Sequence, residues 1–545
     1  MTSSLNRRQL IQLGTFGLGA MSASASTAIA RTGGFTHGVA SGEPRQDSVL
    51  LWTRHVGNGD TKLVAEMSQN ADFSSAKTVG EVIASASRDH IAKITVKELT
   101  PNTWYYFRFI APDGLKSTTG RTRTLPHGET EKFNLGVFGC SNLPFGYFNA
   151  YAHAAQRDDL DLIIHTGDYL YEYPIGTYPS KDGAVAGRII HPAHEMVQLA
   201  DYRLRYAAYR SDPDLQRIHQ LYPMIAMWDD HEFANDAYKD GAQNHQPDTE
   251  GDWQVRKRIA EQVYREWMPV SDHDATDPLW SQYEIGDLAT LFVTESRIGA
   301  RSKQPELDTA LKGQSDMKTA LTTFRDGEWQ DPMRTMLGEV QEAWLAEAMT
   351  KSRTAGTKWQ VLSQQCLMGE LRQPQEAQNW VSDNAPAYAK ARIAVGALAA
   401  EIGLPLNFDS WDGYPQARKR LLEAAQEADA DLIVLSGDSH NAWAFNLDTE
   451  HGPAGVEFGG HSVTSPGFEA YTLGIDPAVV AQAVTKTNDK LQWAETGSRG
   501  YMTVSLTPEK ATSTWHFLDT IRTKSTVMKS STSHSVMRGA RTLTV

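Results

Sequence analysis

The stretch Leu160-Asp161-Leu162-Ile163-Ile164-His165-Thr166-Gly167-Asp168-Tyr169-Leu170-Tyr171-Glu172 sets the reading of the whole chain. An apolar run of strand length stops at Thr-Gly-Asp, and polar and aromatic residues follow. A run of this kind fits a strand buried on both faces, as in sheets covered by helices. The pattern recurs outward in both directions. Phe133 to Phe138 precedes it and ends in Gly139-Cys140-Ser141-Asn142. Pro223 to Met227 follows it and ends in Trp228-Asp229-Asp230-His231-Glu232. Leu288 to Val293, Trp359 to Leu362 and Leu432 to Leu435 continue the series, the last ending in Ser436-Gly437-Asp438-Ser439-His440-Asn441. Helical stretches such as Gly338 to Met349 and Pro415 to Glu427 lie between the runs. This alternation predicts an α/β layered domain.

Upstream, residues 33–126 have a different pattern. Val49 to Arg54, the alternating Ala92 to Val96 and the aromatic Trp104 to Phe109 read as short strands separated by Gly, Pro and Asn turns. They predict a small all-β sandwich of about seven strands, immunoglobulin- or fibronectin-like. Leu125-Pro126-His127-Gly128 reads as the linker. The expected organisation is an export signal over 1–30, the sandwich over 31–127, the α/β domain over 128–520 and a tail over 521–545. The Ser/Thr/Lys-rich stretch 523–535 predicts loose chain, and the tail is a lid candidate. Residues 181–195, 237–252 and 300–330 read as surface insertions or lids.

Residues 1–30 carry Arg7-Arg8, a mildly hydrophobic Gly- and Ala-rich stretch, and Ala28-Ile29-Ala30 as a cleavage pattern. Paired arginines with weak hydrophobicity point to twin-arginine (Tat) export, hence to the Tat translocon as a transient partner and a periplasmic or secreted destination. No other run approaches the ~20 apolar residues of a membrane-spanning helix. The formal net charge of −14 argues against broad nucleic-acid binding, which needs surplus Lys and Arg. Two cysteines, Cys140 and Cys366, exclude a disulfide framework and a multi-cysteine zinc site, and Cys366 reads as a buried free thiol.

Ligands of open α/β sheets bind outside the carboxyl ends of the strands. Four loops rich in Cys, Asp, Tyr, His and Asn would therefore converge on one edge and form a metal site. Carboxylates dominate, which suits hard cations, while Cys140 and Tyr171 suit an oxidised iron. A mixed cluster of iron beside hard divalent ions fits this set, and such clusters serve phosphoryl chemistry.

Gly167-Asp168-x-x-Tyr171 resembles the GD-x-x-Y motif of purple-acid-phosphatase-type metallophosphoesterases. Asp230-His231-Glu232 resembles their N-H-E block with Asp at the Asn position, and Gly437-Asp438-x-His440 their GHxH with Asp for the first His. Cys140 stands where the first motif usually has Asp. These departures are together the pattern of PhoD-type alkaline phosphatases, a Tat-exported family. Longer matches extend the resemblance over nearly the whole chain after Ala30: Thr36 to Gly42, Leu199 to Arg203, Tyr209 to Leu215 and Trp411-Asp412-Gly413-Tyr414-Pro415.

The resemblance implies Fe3+ with one or two Ca2+ and a small phosphate ester as substrate. It implies that Cys140, Tyr171 and Asp168 hold iron, with Asp168 also bridging, and that Asp230, Asp438 and His440 complete the cluster. Asn142 and Asn235 are candidates for metal or phosphate contact. His231 would contact phosphate or protonate the leaving oxygen, with a ligand role as the alternative. Glu232 would orient His231 or start a helix. Arg297 and Arg301 could clamp phosphate, but surface salt bridges are the expected role of each. His165 reads as a satisfied buried histidine and Trp228 as core. The expected reaction is metal-activated hydroxide attack on phosphorus with release of inorganic phosphate. A phosphodiesterase or phospholipase D-like hydrolase on the same scaffold stays open, as does a metal-dependent phosphate-binding protein without turnover.

Overall fold

A computed structural model describes residues 33–544, apart from 273, 275–276, 381–386 and 473. The expected export signal, 1–30, lies outside the described residues. No described helix is long and apolar enough to cross a membrane.

The strands are β1 (Gly34–Gly42), β2 (Val49–Val56), β3 (Thr61–Ser68), β4 (Lys77–Ala84), β5 (Ile91–Val96), β6 (Trp104–Ile110) and β7 (Gly120–Arg123) in the N-terminal region. There follow β8 (Phe133–Phe138), β9 (Leu162–His165), β10 (Pro223–Ala226), β11 (Ser281–Ile285), β12 (Ala289–Val293), β13 (Trp359–Ser363) and β14 (Leu432–Ser436). The remainder are β15 (Ala442–Thr449), β16 (Gly452–Gly459), β17 (Leu491–Glu495), β18 (Gly500–Leu506), β19 (Lys510–Leu518), β20 (Met528–Met537) and β21 (Leu543–Thr544).

Two large sheets form the α/β part. One runs β21-β20-β19-β18-β8-β9-β10-β1-β2-β5 and the other β11-β12-β13-β14-β16-β15-β17. β8, β9 and β10 are parallel to one another, as are β12, β13, β14 and β16. Leu135, Val137, Leu162 and Ile164 of the first sheet share one core with Val361, Ile433, Leu435 and Val456 of the second. Helices cover the outer faces. Leu199–Arg210, Pro213–Leu221 and Trp253–Trp267 pack with Phe138, Ile163 and Met224. Glu339–Thr354, Pro415–Glu427 and Pro477–Thr487 pack with Phe292, Leu362 and Val434. The apolar runs are therefore covered on both sides, and every residue of β9, β13 and β14 is buried.

In β6, by contrast, buried and half-buried residues alternate, the period of a strand with one face on a core. That core joins Val39, Leu51, Leu63, Ala65, Phe107 and Phe109. The N-terminal region has the seven strands expected of it, with β4-β3-β6-β7 as one sheet. Its other strands are not a closed layer. β1 pairs in parallel with β10, Ser41 opposite Pro223 and Gly42 opposite Met224, so β1, β2 and β5 extend the first large sheet. Gly42 makes this junction possible, because a Cβ there would sit 1.9 Å from the Pro269 carbonyl oxygen.

The stretch 523–535 is not loose over its second half. Residues from Met528 onward form β20, paired with β19 from Met528 opposite Leu518 to Met537 opposite Lys510. The preceding segment is tied down as well: the Asn149 amide donates to Thr520 O at 2.7 Å and Thr523 O at 2.9 Å. The insertion 300–330 contains two helices, Leu307–Leu311 and Met317–Asp326, which share a small core with Ala399 and Leu404.

Candidate metal centre

The loops after β8, β9, β10 and β14 converge, as their sequence pattern implies. Backbone hydrogen bonds join the first two, Cys140 N to Gly167 O (3.1 Å) and Ser141 N to Asp168 O (2.8 Å), and Gly437 N to Gln365 O (2.7 Å) ties the last to the loop after β13. Gly167 has φ +106°, and a Cβ there would lie 2.6 Å from the Asp229 amide nitrogen, so this corner needs glycine. Cys140, Asp168, Asp438 and His440 have φ of 57°, 54°, 61° and 63°. Such values cost a non-glycine residue of order 1–3 kcal/mol and persist where the surroundings over-determine them, typically at functional sites.

One end of the cluster is chemically mixed. Single donor atoms of Cys140, Asp168 and His440 lie within 4.8 Å of one another. Tyr171 OH donates to Asp168 Oδ2 at 2.9 Å and lies 3.2 Å from His440 Nε2. Ser465 Oγ lies 2.7 Å from Tyr171 OH and 3.1 Å from Cys140 O. His440 Nδ1 meets Pro466 O at 2.8 Å, which leaves Nε2 facing the cluster. Burial holds the His440 imidazole down at about 3, so it is neutral and free to bind a cation. Burial and the nearby Asp168 push the Cys140 thiol and the Tyr171 phenol well up.

The other end is carboxylate. Asp168 also groups with Asp230 and His231, Asp230 with Asp229 and Asp438, and Asp438 with Asp409 and Cys366, each set within 4.8 Å. These sets share members, so they form one continuous site. Arg297 stands among them, fully buried. It donates through Nε to Asp229, through Nη1 to Asp409 Oδ2 at 2.7 Å, and through Nη2 to Asp438 Oδ1 at 3.4 Å. Arg301, also buried, donates to both the carboxylate and the carbonyl of Asp409. The expectation of surface salt bridges at Arg297 and Arg301 is therefore corrected: both are interior parts of the cluster. Asp409 and Asp229 carry no motif signal of their own in the sequence. Asp409 follows no apolar run, and Asp229 is overshadowed by the motif residue beside it.

His231 Nδ1 meets Glu172 Oε2 at 2.7 Å, and Glu172 Oε1 accepts from Asn235 N and the Asn244 amide, both at 2.8 Å. Burial alone would depress His231, but Asp230, Glu172 and Asp168 outweigh it and hold the imidazole well above its usual range. Glu172, not Glu232, orients His231. Glu232 instead accepts from Asp168 N (3.1 Å), Tyr169 N (2.5 Å) and Asp229 N (2.8 Å), clamping two strand-end loops together. Asn142 is buried at the cluster edge, its amide donating to Tyr178 O at 3.3 Å. The Asn235 side-chain amide donates to Gln243 Oε1 at 3.1 Å. His165 is buried against Tyr151 OH at 2.9 Å, Trp228 is buried, and Cys366 is a buried free thiol, all as expected.

The residues present fit cations. Asp168 Oδ1, Asp229 Oδ2 and Asn142 Oδ1 are buried oxygens without a hydrogen-bond partner, and buried acceptors are normally satisfied. Burial, with neighbouring carboxylates, pushes Asp168 and Asp438 well above the carboxylate range and Asp229 up to about 6. Arg297, Arg301 and His231 balance only part of this crowded negative charge, and bound cations would supply the rest.

Comparison with known proteins agrees with this geometry. The family model for PhoD-like phosphatases matches residues 135–515, and that for the N-terminal domain of the same family matches residues 21–126. The chain is 32% identical over 497 residues to alkaline phosphatase D of Bacillus subtilis (strain 168), covering 87% of this chain and 76% of that protein. The solved structure of PhoD superposes with a TM-score of 0.76 at 27% identity, covering 94% of this chain and 92% of that one. With its strand-end loops gathering a buried, cation-seeking cluster and both family regions matched, the chain belongs to the PhoD-like phosphatases and is a metal-dependent phosphoesterase of the alkaline phosphatase type.

Proposed function

We propose that Cys140, Tyr171 and His440 would hold Fe3+ and the carboxylate end one or two Ca2+, with Asp168 shared between the two donor sets. The observation that carries the reading is the division of one continuous donor set. The Cys140 thiol, Tyr171 phenol and His440 imidazole lie at one end, the carboxylates of Asp229, Asp230, Asp409 and Asp438 dominate the other with Arg297, His231 and Cys366 beside them, and Asp168 belongs to both. Thiolate and phenolate suit an oxidised iron, whereas a carboxylate set suits calcium. Bound there, the cations supply Lewis-acid charge for the phosphoryl oxygens and an activated water.

The chain's own groups do the rest. His231 is held at Nδ1 by Glu172, so Nε2 is the atom that donates a proton to the leaving oxygen of the ester. The contact with Glu172, which is independent of the cluster, favours the imidazolium form. Asn142 is the candidate to hold a non-bridging phosphate oxygen through its side chain. Buried loops around the cluster exclude bulk water and strengthen each electrostatic contact. Substrates are phosphate monoesters, with diesters as the second class.

Elemental analysis before and after EGTA treatment tests this. Calcium should leave and activity on a monoester and a bis-ester vanish reversibly, while iron stays bound. Full activity in protein shown to lack calcium would contradict the mixed cluster.

Export through the Tat route to the periplasm or beyond is part of the same reading, since Arg7-Arg8 and Ala28-Ile29-Ala30 support it. Replacing both arginines with Lys should strand precursor in the cytoplasm. Normal export of that variant would favour the general secretory route.

A further inference from the structure

Arg297 lies where the carboxylate sets overlap. Its guanidinium contacts Asp229, Asp409 (2.7 Å) and Asp438 (3.4 Å), and lies 3.8 Å from Asp230. Donor atoms of Asp229, Asp230 and Asp438 are within 4.8 Å of one another, as are those of Cys366, Asp409 and Asp438. These are spacings at which oxygen ligands gather around a divalent ion. Asp229 Oδ2 is buried without a hydrogen-bond partner beside them. Asp409 in turn is fixed by Arg301, which binds its carboxylate and, at 2.6 Å, its carbonyl. A fully buried guanidinium is costly unless its surroundings need the charge.

We propose that Arg297 is a resident cation of the cluster. It occupies a position that Asp229, Asp409 and Asp438 would otherwise give to a divalent metal ion, so the wild-type chain binds one divalent ion fewer than its carboxylates can hold. Arg297 is thus a positioning residue. Its covalent attachment keeps the charge in place when exchangeable ions leave, and its planar fork fixes three carboxylates that an ion would hold less directionally. The inference rests on the cation-binding reading above. In physical terms it makes Arg297 exchangeable for calcium, which an ordinary structural arginine is not.

The experiment counts bound calcium by equilibrium dialysis in wild type, Arg297→Gln and Arg297→Ala, alongside thermal unfolding at rising calcium. Gln keeps part of the volume and places its amide near the Nε position that donates to Asp229, which guards against simple misfolding. Each variant should bind one more calcium per chain than wild type. Each should melt lower than wild type without calcium and recover in millimolar calcium, under conditions where the wild-type melting temperature no longer moves. Unchanged stoichiometry in folded variants would overturn the proposal. So would failure of both variants to fold in millimolar calcium, because an exchangeable ion would then not replace the guanidinium. Wild type that binds no divalent ion at all would sink the cation reading itself, a separable outcome.

Discussion

The two ends of the cluster lie on the same strand edges but are neutralised by different means. At the Cys140 end, donors of different softness meet: a thiol, a phenol, a neutral imidazole and the shared Asp168. At the Asp229 end, carboxylates of like hardness crowd together and a covalently tethered guanidinium already sits among them. The first end can discriminate metals by ligand type, so its ion should exchange slowly. The second discriminates by charge and geometry, so its ions should exchange readily. On the proposed assignment, one scaffold would build a permanent and a replaceable half, coupled through Asp168.

If Asp168 is the coupling element, its loss is felt at both ends. Asp168→Asn should lower kcat/KM by on the order of 10³-fold, about 4 kcal/mol of transition-state stabilisation. Iron and calcium content should both drop. A variant that lost only one metal would break the comparison as drawn, because Asp168 would then belong to one end alone.

A smaller effect separates the cluster from the proton donor beside it. Glu172→Gln keeps the shape of the His231 partner and removes its charge. It should lower kcat by roughly 10–100-fold, with metal content intact. The loss should be largest for alkoxide leaving groups and small for nitrophenolate, which departs without protonation. Equal losses on both substrates would assign Glu172 a purely structural role.

Much of this site is legible locally. Asp168, Tyr171, Asp230, Asp438 and His440 each follow an apolar run within a few residues, so strand end and donor are read together. What is not legible depends on distance or on the absence of a local signal. Arg297 and Asp409 are 112 residues apart, and neither sits in a motif that advertises the other. Glu172 is quoted within the strand-end run, but its tie to His231, 59 residues on, is tertiary. β20 is misleading for another reason. Its Ser- and Thr-rich sequence lacks an apolar face, and its pairing is carried by the β19 backbone and cross-strand contacts such as Thr512–Ser535 at 2.9 Å and Thr514–Ser533 at 2.8 Å. The fusion of β1 to β10 is equally silent, since parallel pairing between distant segments leaves no periodicity of its own.

The most direct test of the divided cluster is the visible spectrum of Tyr171→Phe in protein shown to carry iron. Phenolate and thiolate bound to ferric iron give charge-transfer absorption, so wild type should be coloured. The Phe variant keeps the ring against His231, whose centroid lies 4.2 Å away, and deletes only the oxygen that meets Asp168 and His440. The band should shift or fade and turnover should fall more than substrate binding, while calcium content stays at the wild-type level. An iron-loaded Phe variant with an unchanged spectrum and rate would contradict the assignment of the Cys140 end, and with it the division of the cluster into two halves.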